Sequence, residues 1–306
     1  MVTRTAARRA LAAAGGLALD RAVPEPPPDL HPVVAFGRLM HGVERRLYRD
    51  SVGAGSVYAA LGVAVGVVAG LVVRSTSAAV ALSAAGRMLR HEAIAVQASL
   101  ERADLDRARA LLPALCGRDP SGLDESGVSA AVIESLAENT VDAVVGPALW
   151  GSLCGGPGAF GYRAANTMDA MVGHRSPRYE QFGRPAARLD DVANLVPARL
   201  TALLVAAVCP ARAAAVRRVV RRDARDHPSP NAGVAEAAFA AALDRQLGGV
   251  VRYGERVEHR PRLGDGRRPK PADIARAVQL ADRIEVACAA LLATSALLRL
   301  AGRRRG

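Results

Sequence analysis

Three short segments concentrate carboxylates, carboxamides and arginines inside otherwise apolar sequence: Glu134 to Asp142, Asn166 to His174, and Arg188 to Arg199. Glu134, Glu138 and Asp142 recur at every fourth residue, which places three carboxylates on one face of a helix. Such a stripe is ordinarily a solvated face. Here, however, Asp142 abuts a run of 20 uncharged residues, 143–162. An ionised group at the centre of a bilayer costs about 2.5 to 3.5 kcal/mol even on lenient insertion scales, so the three acids must face water, arginine or a divalent cation. Asp190, Asp191 and Asn194 lie about one turn from each other beside Arg188. Oxygen-only ligand sets select hard cations, and Mg²⁺ typically uses one or two carboxylates together with substrate phosphates. The plainer alternative for Asp190 or Asp191 is a helix N-cap. His174, between Gly173 and Arg175, has the chemistry of a proton-transfer group or phosphate donor, although a lone histidine in a polar loop is more often neither.

The chain contains no GxxxxGK[ST] loop, and Lys270, its one lysine, stands in a proline-rich stretch, which excludes a Walker-type nucleotide site. Gly-x-Ser-x-Gly and recognisable Cys/His pairings are absent as well. Cys116, Cys154, Cys209 and Cys288 are far apart in apolar contexts; they read as buried thiols, compatible with a reducing compartment and not with a zinc site or a disulfide framework.

The formal net charge of +12 comes almost wholly from arginine. With 3% aromatic residues and no helix-turn-helix, RNP or zinc-finger pattern, a nucleic-acid partner is not expected. Arginine clusters at 217–225 and 303–305 suit anionic lipid headgroups or phosphorylated substrates better.

The elements that must position these residues read as membrane helices. Ser51 to Val73 is 23 residues without a charge, longer than the roughly 20 needed to cross a bilayer. The charge-free piece 75–86 is too short to cross and reads as the return of a hairpin. Weaker apolar segments lie near 143–162, 192–211 and 284–300, with the weakest at 8–19, which is taken as a retained first helix and not as a signal peptide. The segment 143–162 holds Pro147, Pro157 and several glycines and reads as broken or re-entrant. If every weak segment crossed fully, the 134–142 and 166–191 motifs would fall on opposite faces, so a single site requires at least one re-entrant segment. Residues 86–112 read as one long amphipathic helix ended by Pro113, and 273–301 as another; 223–233 and 250–271, rich in Pro, Gly and charge, read as loops. No alternation is long enough to suggest a sheet. The expected fold is therefore all-α: a polytopic, multi-pass helical protein of the cell membrane, forming a single domain over 1–306, with helical and loop segments outside the membrane.

The chain resembles the adenosylcobinamide-phosphate synthases, also called cobyric acid aminopropanol ligases, of cobalamin biosynthesis. The matching pieces run in family order: His31 to Glu44, Gly117 to Asp124, Ala131 to Trp150, Tyr162 to His174, Phe182 to Leu200, Arg222 to Gly233, then Leu247 to Gly249 and Tyr253. One departure is V23PEP26 where the family usually carries Gly-Asp-Pro; Glu25 would have to substitute for that Asp and is left out of the expected site. The resemblance implies an integral membrane enzyme that attaches (R)-1-amino-2-propanol, or its O-phosphate, to a carboxylate of adenosylcobyric acid, giving adenosylcobinamide or its phosphate, with ATP as co-substrate and Mg²⁺ as cofactor. A carboxylate accepts an amine only after its oxygen becomes a leaving group, which suggests an acyl phosphate. On this view Glu134, Glu138 and Asp142, or Asp190 and Asp191, hold Mg²⁺ and neutralise the triphosphate, with Asp190, Asp191 and Glu138 as the favoured ligand set. Arg188, Arg199 and Asn231 are candidates for phosphate or amide contacts, Asn139, Asn166 and Asn194 for the amide-rich corrin rim, and Asp169 or His174 for accepting the amine proton. His31, in the first matching piece, joins the substrate-binding candidates. The partners implied are the two substrates, membrane lipid and other membrane enzymes of the corrinoid pathway.

Two alternatives belong to other classes. An intramembrane Mg²⁺-dependent prenyltransferase-like enzyme would show Asp-x-x-x-Asp in two helices, and D190DVAN194 matches this only in part. A corrinoid transporter or partner without catalysis would bind a corrinoid and turn over no ATP.

Overall fold

The computed structural model describes residues 2–27, 29–174, 176–253 and 256–301. In chain order the α-helices are α1 (Val2–Ala22), α2 (Pro32–Leu47), α3 (Val52–Val73), α4 (Thr76–Ser83), α5 (Gly86–Glu101), α6 (Leu105–Leu111), α7 (Glu125–Thr140), α8 (Gly146–Cys154), α9 (Gly156–Met168), α10 (Arg184–Val208), α11 (Ala213–Asp223), α12 (Ala232–Leu243) and α13 (Pro271–Ala301). A hairpin of β1 (Leu247–Tyr253) and β2 (Arg256–Leu263) precedes α13. The all-α expectation holds, with 76% of the chain helical. Among the described residues three helices, α3, α10 and α13, are long and apolar enough to cross a membrane.

Local chemistry sets the boundaries. The uncharged run 51–73 becomes α3 because Ser51 caps it, its hydroxyl accepting the Ala54 N–H at 3.2 Å. Asp124 starts α7 in the same way, accepting the Gly127 N–H at 2.7 Å. The run 143–162 is broken, as its glycines and prolines imply: Gly155, at φ +71°, turns the chain between α8 and α9. At 1.5 Å per residue, α8 and α9 extend only about 14 and 20 Å, short of a hydrocarbon core of about 30 Å.

Two expectations are corrected. Residues 86–112 are not one helix: α5 stops at Glu101, Ala103 takes a left-handed φ of 57°, and Asp104 caps α6 by accepting the Arg107 N–H at 2.9 Å. Residues 250–271 are not all loop, since β1 and β2 pair antiparallel from Leu247↔Leu263 to Tyr253↔Arg256. The alternation in β2 sets Arg256, Glu258, Arg260 and Arg262 against Val257, His259, Pro261 and Leu263, so the period of two is one of charge and not of apolarity.

The chain divides into two compact units. The first comprises residues 1–85, 142–197 and 288–306. Here α9 packs along α3, and α1, α4 and α8 pack beside them. Gly62, Gly66 and Gly70 of α3 meet Met168, Phe160 and Gly156 so closely that a Cβ at Gly66 would lie 2.6 Å from the Phe160 carbonyl oxygen; small residues let the two backbones approach. Buried Met40, Tyr58, Met168 and Phe182 fill the core beside this contact. The second unit comprises residues 86–141 and 198–287. Its centre is α7, buried almost all round and packed by α5, α12 and β1.

Candidate functional site

In the first unit, a hydrogen-bonded chain joins residues of three segments. The helix that begins with α7 widens to a π turn over Val141–Val145, which carries Asp142, and α9 ends in a second π turn over Asp169–Gly173, which carries Asp169. Single π turns inside α-helices recur at functional sites. From α9, the Asn166 amide donates to Asp142 Oδ2 at 3.0 Å and to Asp190 Oδ1 at 3.3 Å. Asn194, one turn beyond Asp190 on α10, donates to Asp190 Oδ2 at 3.1 Å, and the Tyr162 hydroxyl donates to Asn194 Oδ1 at 2.7 Å. Arg163 closes the chain by donating to Asn166 Oδ1 at 3.1 Å. Asp142, Asn166, Asp190 and Asn194, separated by up to 52 residues in sequence, thus form one network.

Asp191 is half-buried on the same helix and Arg188 is exposed. Asp169 is largely enclosed; burial, and then the charges of Asp190 and Asp191, push its carboxyl up to about 7. His174 is exposed and stacks edge-on against Tyr179, with ring centroids 5.0 Å apart. His31 caps α2: its Nδ1 accepts the Val33 N–H at 3.2 Å, which leaves the proton of the neutral ring on Nε2, 3.6 Å from Glu25 Oε2. Burial and then the Arg163 charge hold His31 below its ordinary value, and burial raises Glu25 against the same arginine. The Glu25 position left out on sequence grounds is therefore in contact with an expected binding residue.

The second unit holds a buried charge cluster under the β-hairpin. Glu134 accepts from the Arg118 guanidinium at 2.5 Å and from the Gly248 N–H at 2.7 Å. Gly248 sits at a bulge with φ +77°, and a side chain there would strike the Pro261 carbonyl. Arg260 of β2 lies 3.7 Å from Glu236 and 3.8 Å from Glu138, and it donates to the Tyr253 hydroxyl at 2.8 Å. His227 Nε2 faces Glu236 Oε1 at 3.5 Å. Three carboxyls thus face two guanidiniums. Burial, then the charges of Glu138 and Glu134, hold Glu236 protonated far above the usual carboxylate range, which balances the count. Arg118 Nε, Arg260 Nε, His227 Nε2 and both Glu236 oxygens lack a hydrogen-bond partner among the described residues. Buried polar atoms rarely stay unsatisfied, so the polar demand of this cluster exceeds what its protein partners supply. Beside it, Arg199 donates to Asn231 Oδ1 at 2.7 Å, joining two expected binding residues. Asn139 is spent on its own helix, donating to the Ser135 carbonyl at 3.0 Å.

The expected residues therefore fall in two groups: Asp142, Asn166, Asp190 and Asn194 in the first unit, and Glu134, Glu138, Arg199 and Asn231 in the second. Among the described residues no set of three or more His, Cys, Asp or Glu side chains gathers as metal ligands. Of the metal candidates, Asp190 and Asp191 belong to the first unit and Glu138 to the second. Asp142 and Asp190 converge on the Asn166 amide, whose N–H groups fill the space between them; Mg²⁺ bound there would displace that donor and take its remaining ligands from phosphates and water. Sequence reasoning missed Arg118, His227, Tyr253, Tyr162 and Arg163 as site residues although all lie in the matched motifs. It also missed Glu236, a lone acid in an apolar helix, and Arg260, on the hairpin read as loop.

The family model for CobD/Cbib proteins matches residues 13–281. The cobalamin biosynthesis protein CobD of Mycobacterium tuberculosis is 48% identical over 88% of this chain and 90% of its own length. That of Geobacter metallireducens is 42% identical over 79% of this chain and 82% of its own, and that of Rhodobacter capsulatus 49% identical over 63% and 62%. No solved structure matches. The motif residues gathered in each unit and these similarities over most of the chain agree: this chain belongs to the CobD/Cbib family and has its role in cobalamin biosynthesis.

Proposed function

We propose that the chain is an adenosylcobinamide-phosphate synthase type amide ligase, joining (R)-1-amino-2-propanol or its O-phosphate to a carboxylate of adenosylcobyric acid in a multi-pass protein of the cell membrane. The observation that carries this reading is the network in which Asn166 bridges Asp142 and Asp190, in a chain of a cobalamin-biosynthesis family.

Amide formation needs the carboxylate oxygen converted to a leaving group, and phosphoryl transfer from ATP, giving an acyl phosphate, is the route proposed here. Mg²⁺, when bound, screens the phosphate charge. Asp142, Asp190 and Asp191 would hold it, with Glu134 and Glu138 as the competing set. The half-buried Asn166 amide, oriented by Arg163, suits the amide-rich corrin rim, whereas the buried Asn194, with its oxygen on Tyr162 and its nitrogen on Asp190, orients that carboxylate. The exposed Arg188 and the Arg199–Asn231 pair suit phosphate oxygens. Asp169, pushed up to about 7, exists near neutrality in both forms and suits acceptance of the amine proton; His174, exposed on Tyr179, is the competing acceptor. His31 and Glu25 stand ready as a second polar contact in the first unit. Other corrinoid-pathway membrane enzymes would supply the acid and consume the product.

The test is mass analysis of the corrinoid product after incubating purified protein with adenosylcobyric acid, ATP, Mg²⁺ and each amine in turn. Product is expected with one or both amines and only with ATP present. Asp190→Asn is expected to lower the rate at least about tenfold, and Glu138→Ala to do so if the competing set holds the metal. No product with either amine would remove the ligase reading, and full activity in both variants would remove the metal assignment.

A further inference from the structure

A feature of the second unit shares Arg199 with this chemistry and is otherwise separate from it. Helix α11 is amphipathic: Val216 and Val219 are buried, while Arg217, Arg218, Arg221 and Arg222 are exposed, as is Arg225 just beyond it. A cavity of about 760 Å³ opens between this helix, the C-terminal half of α10 and Val234 of α12. Its walls are apolar at Ala202, Leu203, Ala206 and Val220, and it is edged by Arg199, Arg217 and Arg221. A second cavity of about 530 Å³ shares Ala214, Arg217 and Arg221 with the first and is otherwise lined by arginine. Not all of this charge is committed. Arg218 and Arg222 reach Asp265 at 3.4 and 2.7 Å, whereas Arg217, Arg221 and Arg225 make no ion pair among the described residues.

We propose that this joined groove binds one anionic phospholipid, its acyl chain along α10 and its phosphate on Arg217 and Arg221. Several observations favour a lipid over a free anion. The wall comes from a helix long and apolar enough to cross a membrane, and Leu203 on that wall is 68% exposed. The arginines follow that helix after one short turn, 209–212, where basic residues meet the negative surface of a leaflet. A free phosphate would satisfy the guanidiniums and leave the apolar cavity, which is of ligand-binding size, without a purpose. A zwitterionic lipid would fill the groove and leave the cations uncompensated. An amphiphile with a net negative head meets both demands, and the proposal does not depend on the ligase reading.

The test uses the full chain purified in neutral detergent and native mass spectrometry of retained lipid during titration with phosphatidylglycerol or phosphatidylcholine. The wild type is expected to retain one phosphatidylglycerol in preference to phosphatidylcholine. The double variant Arg217→Gln/Arg221→Gln should lose about 10- to 30-fold in phosphatidylglycerol affinity, from roughly 1 kcal/mol per basic residue. Ala206→Phe, which fills the apolar wall and keeps every charge, should weaken retention as well. Equal retention of the two lipids, or unchanged binding in the double variant, overturns the proposal. If inorganic phosphate displaces the lipid and Ala206→Phe has no effect, the groove is an anion site without a chain, and the proposal again fails.

Discussion

The Tyr162 hydroxyl donates to Asn194 Oδ1 at 2.7 Å, and both side chains are buried. That bond determines which way the Asn194 amide points, because an oxygen committed to Tyr162 leaves the nitrogen for Asp190. The orientation passes onward, since Asp190 also accepts from Asn166 and Asn166 from there reaches Asp142.

Tyr162→Phe removes the donor and leaves a buried amide oxygen unsatisfied, which costs about 1–3 kcal/mol. The expected outcome is a lower unfolding midpoint in detergent together with slower product formation, as the amide loses its preferred orientation. Gly146→Ala should reproduce it, because a Cβ at Gly146 would strike the Tyr162 ring. A Tyr162→Phe protein with the wild-type midpoint would show that Asn194 has another partner.

Glu134 is 1% exposed, and its carboxylate is matched by Arg118 and the Gly248 N–H. Removing one member of a buried ion pair leaves an uncompensated charge, typically at a cost of about 3–5 kcal/mol, whereas replacing both with apolar groups is often neutral. Arg118→Met should therefore unfold the second unit far more easily than Arg118→Met/Glu134→Leu. A double-mutant cycle read by chemical denaturation in detergent measures the difference; additive effects would mean that the pair is not coupled.

How much of this was legible in the sequence follows from what each signal depends on. The start of α3 and the break at Gly155 are local: a capping serine, an uncharged run and a Gly-Gly-Pro turn suffice. The carboxylates and amides of the first unit could be picked out by type, yet their bonding depends on α9 lying beside α10, which no spacing within a segment encodes. Arg260 was hidden for a different reason. Its strand alternates charge with mixed residues and joins only one partner strand, so it carries none of the apolar period that marks a half-buried sheet. Glu236 had a signal that went unused: a single acid in AGVAEAAFAAAL is costly to bury unless the fold supplies partners.

His227 supplies a pH dependence with a defined sign. Burial, then the Arg260 charge, hold it below its ordinary 6.5. Above about 6.5 folded and unfolded chains both carry it neutral, and it contributes no slope. As the pH falls below that value the unfolded chain takes up the proton first, so stability is lost through this residue on acidification. Glu236 acts in the opposite sense, because the fold already holds its proton and acidification removes that penalty. The net slope of the wild type mixes the two, so the comparison that isolates the histidine is between wild type and His227→Asn. Unfolding midpoints at pH 7.5 and 5.5 should fall less with acid in the variant than in the wild type; an equal fall would mean that His227 is already charged in the folded protein.

The packing of α3 on α9 predicts opposite effects for two glycines of one helix. Glycine in a helix interior is about 1 kcal/mol worse than alanine where nothing else intervenes. Gly53 is exposed, and a Cβ there meets no atom within 4 Å, so Gly53→Ala should be neutral or slightly stabilising. Gly70 faces the backbone of Gly156 and Pro157, which cannot yield as a flexible side chain would. Gly70→Ala should therefore force the two helices apart and cost roughly 1–3 kcal/mol despite its better propensity. Because α9 carries Tyr162, Arg163 and Asn166, the displacement should also lower product formation, while Gly53→Ala leaves it unchanged. Thermal unfolding in detergent and the corrinoid product assay read the two effects together. Equal behaviour of the two variants would mean that α3 does not hold α9 in place.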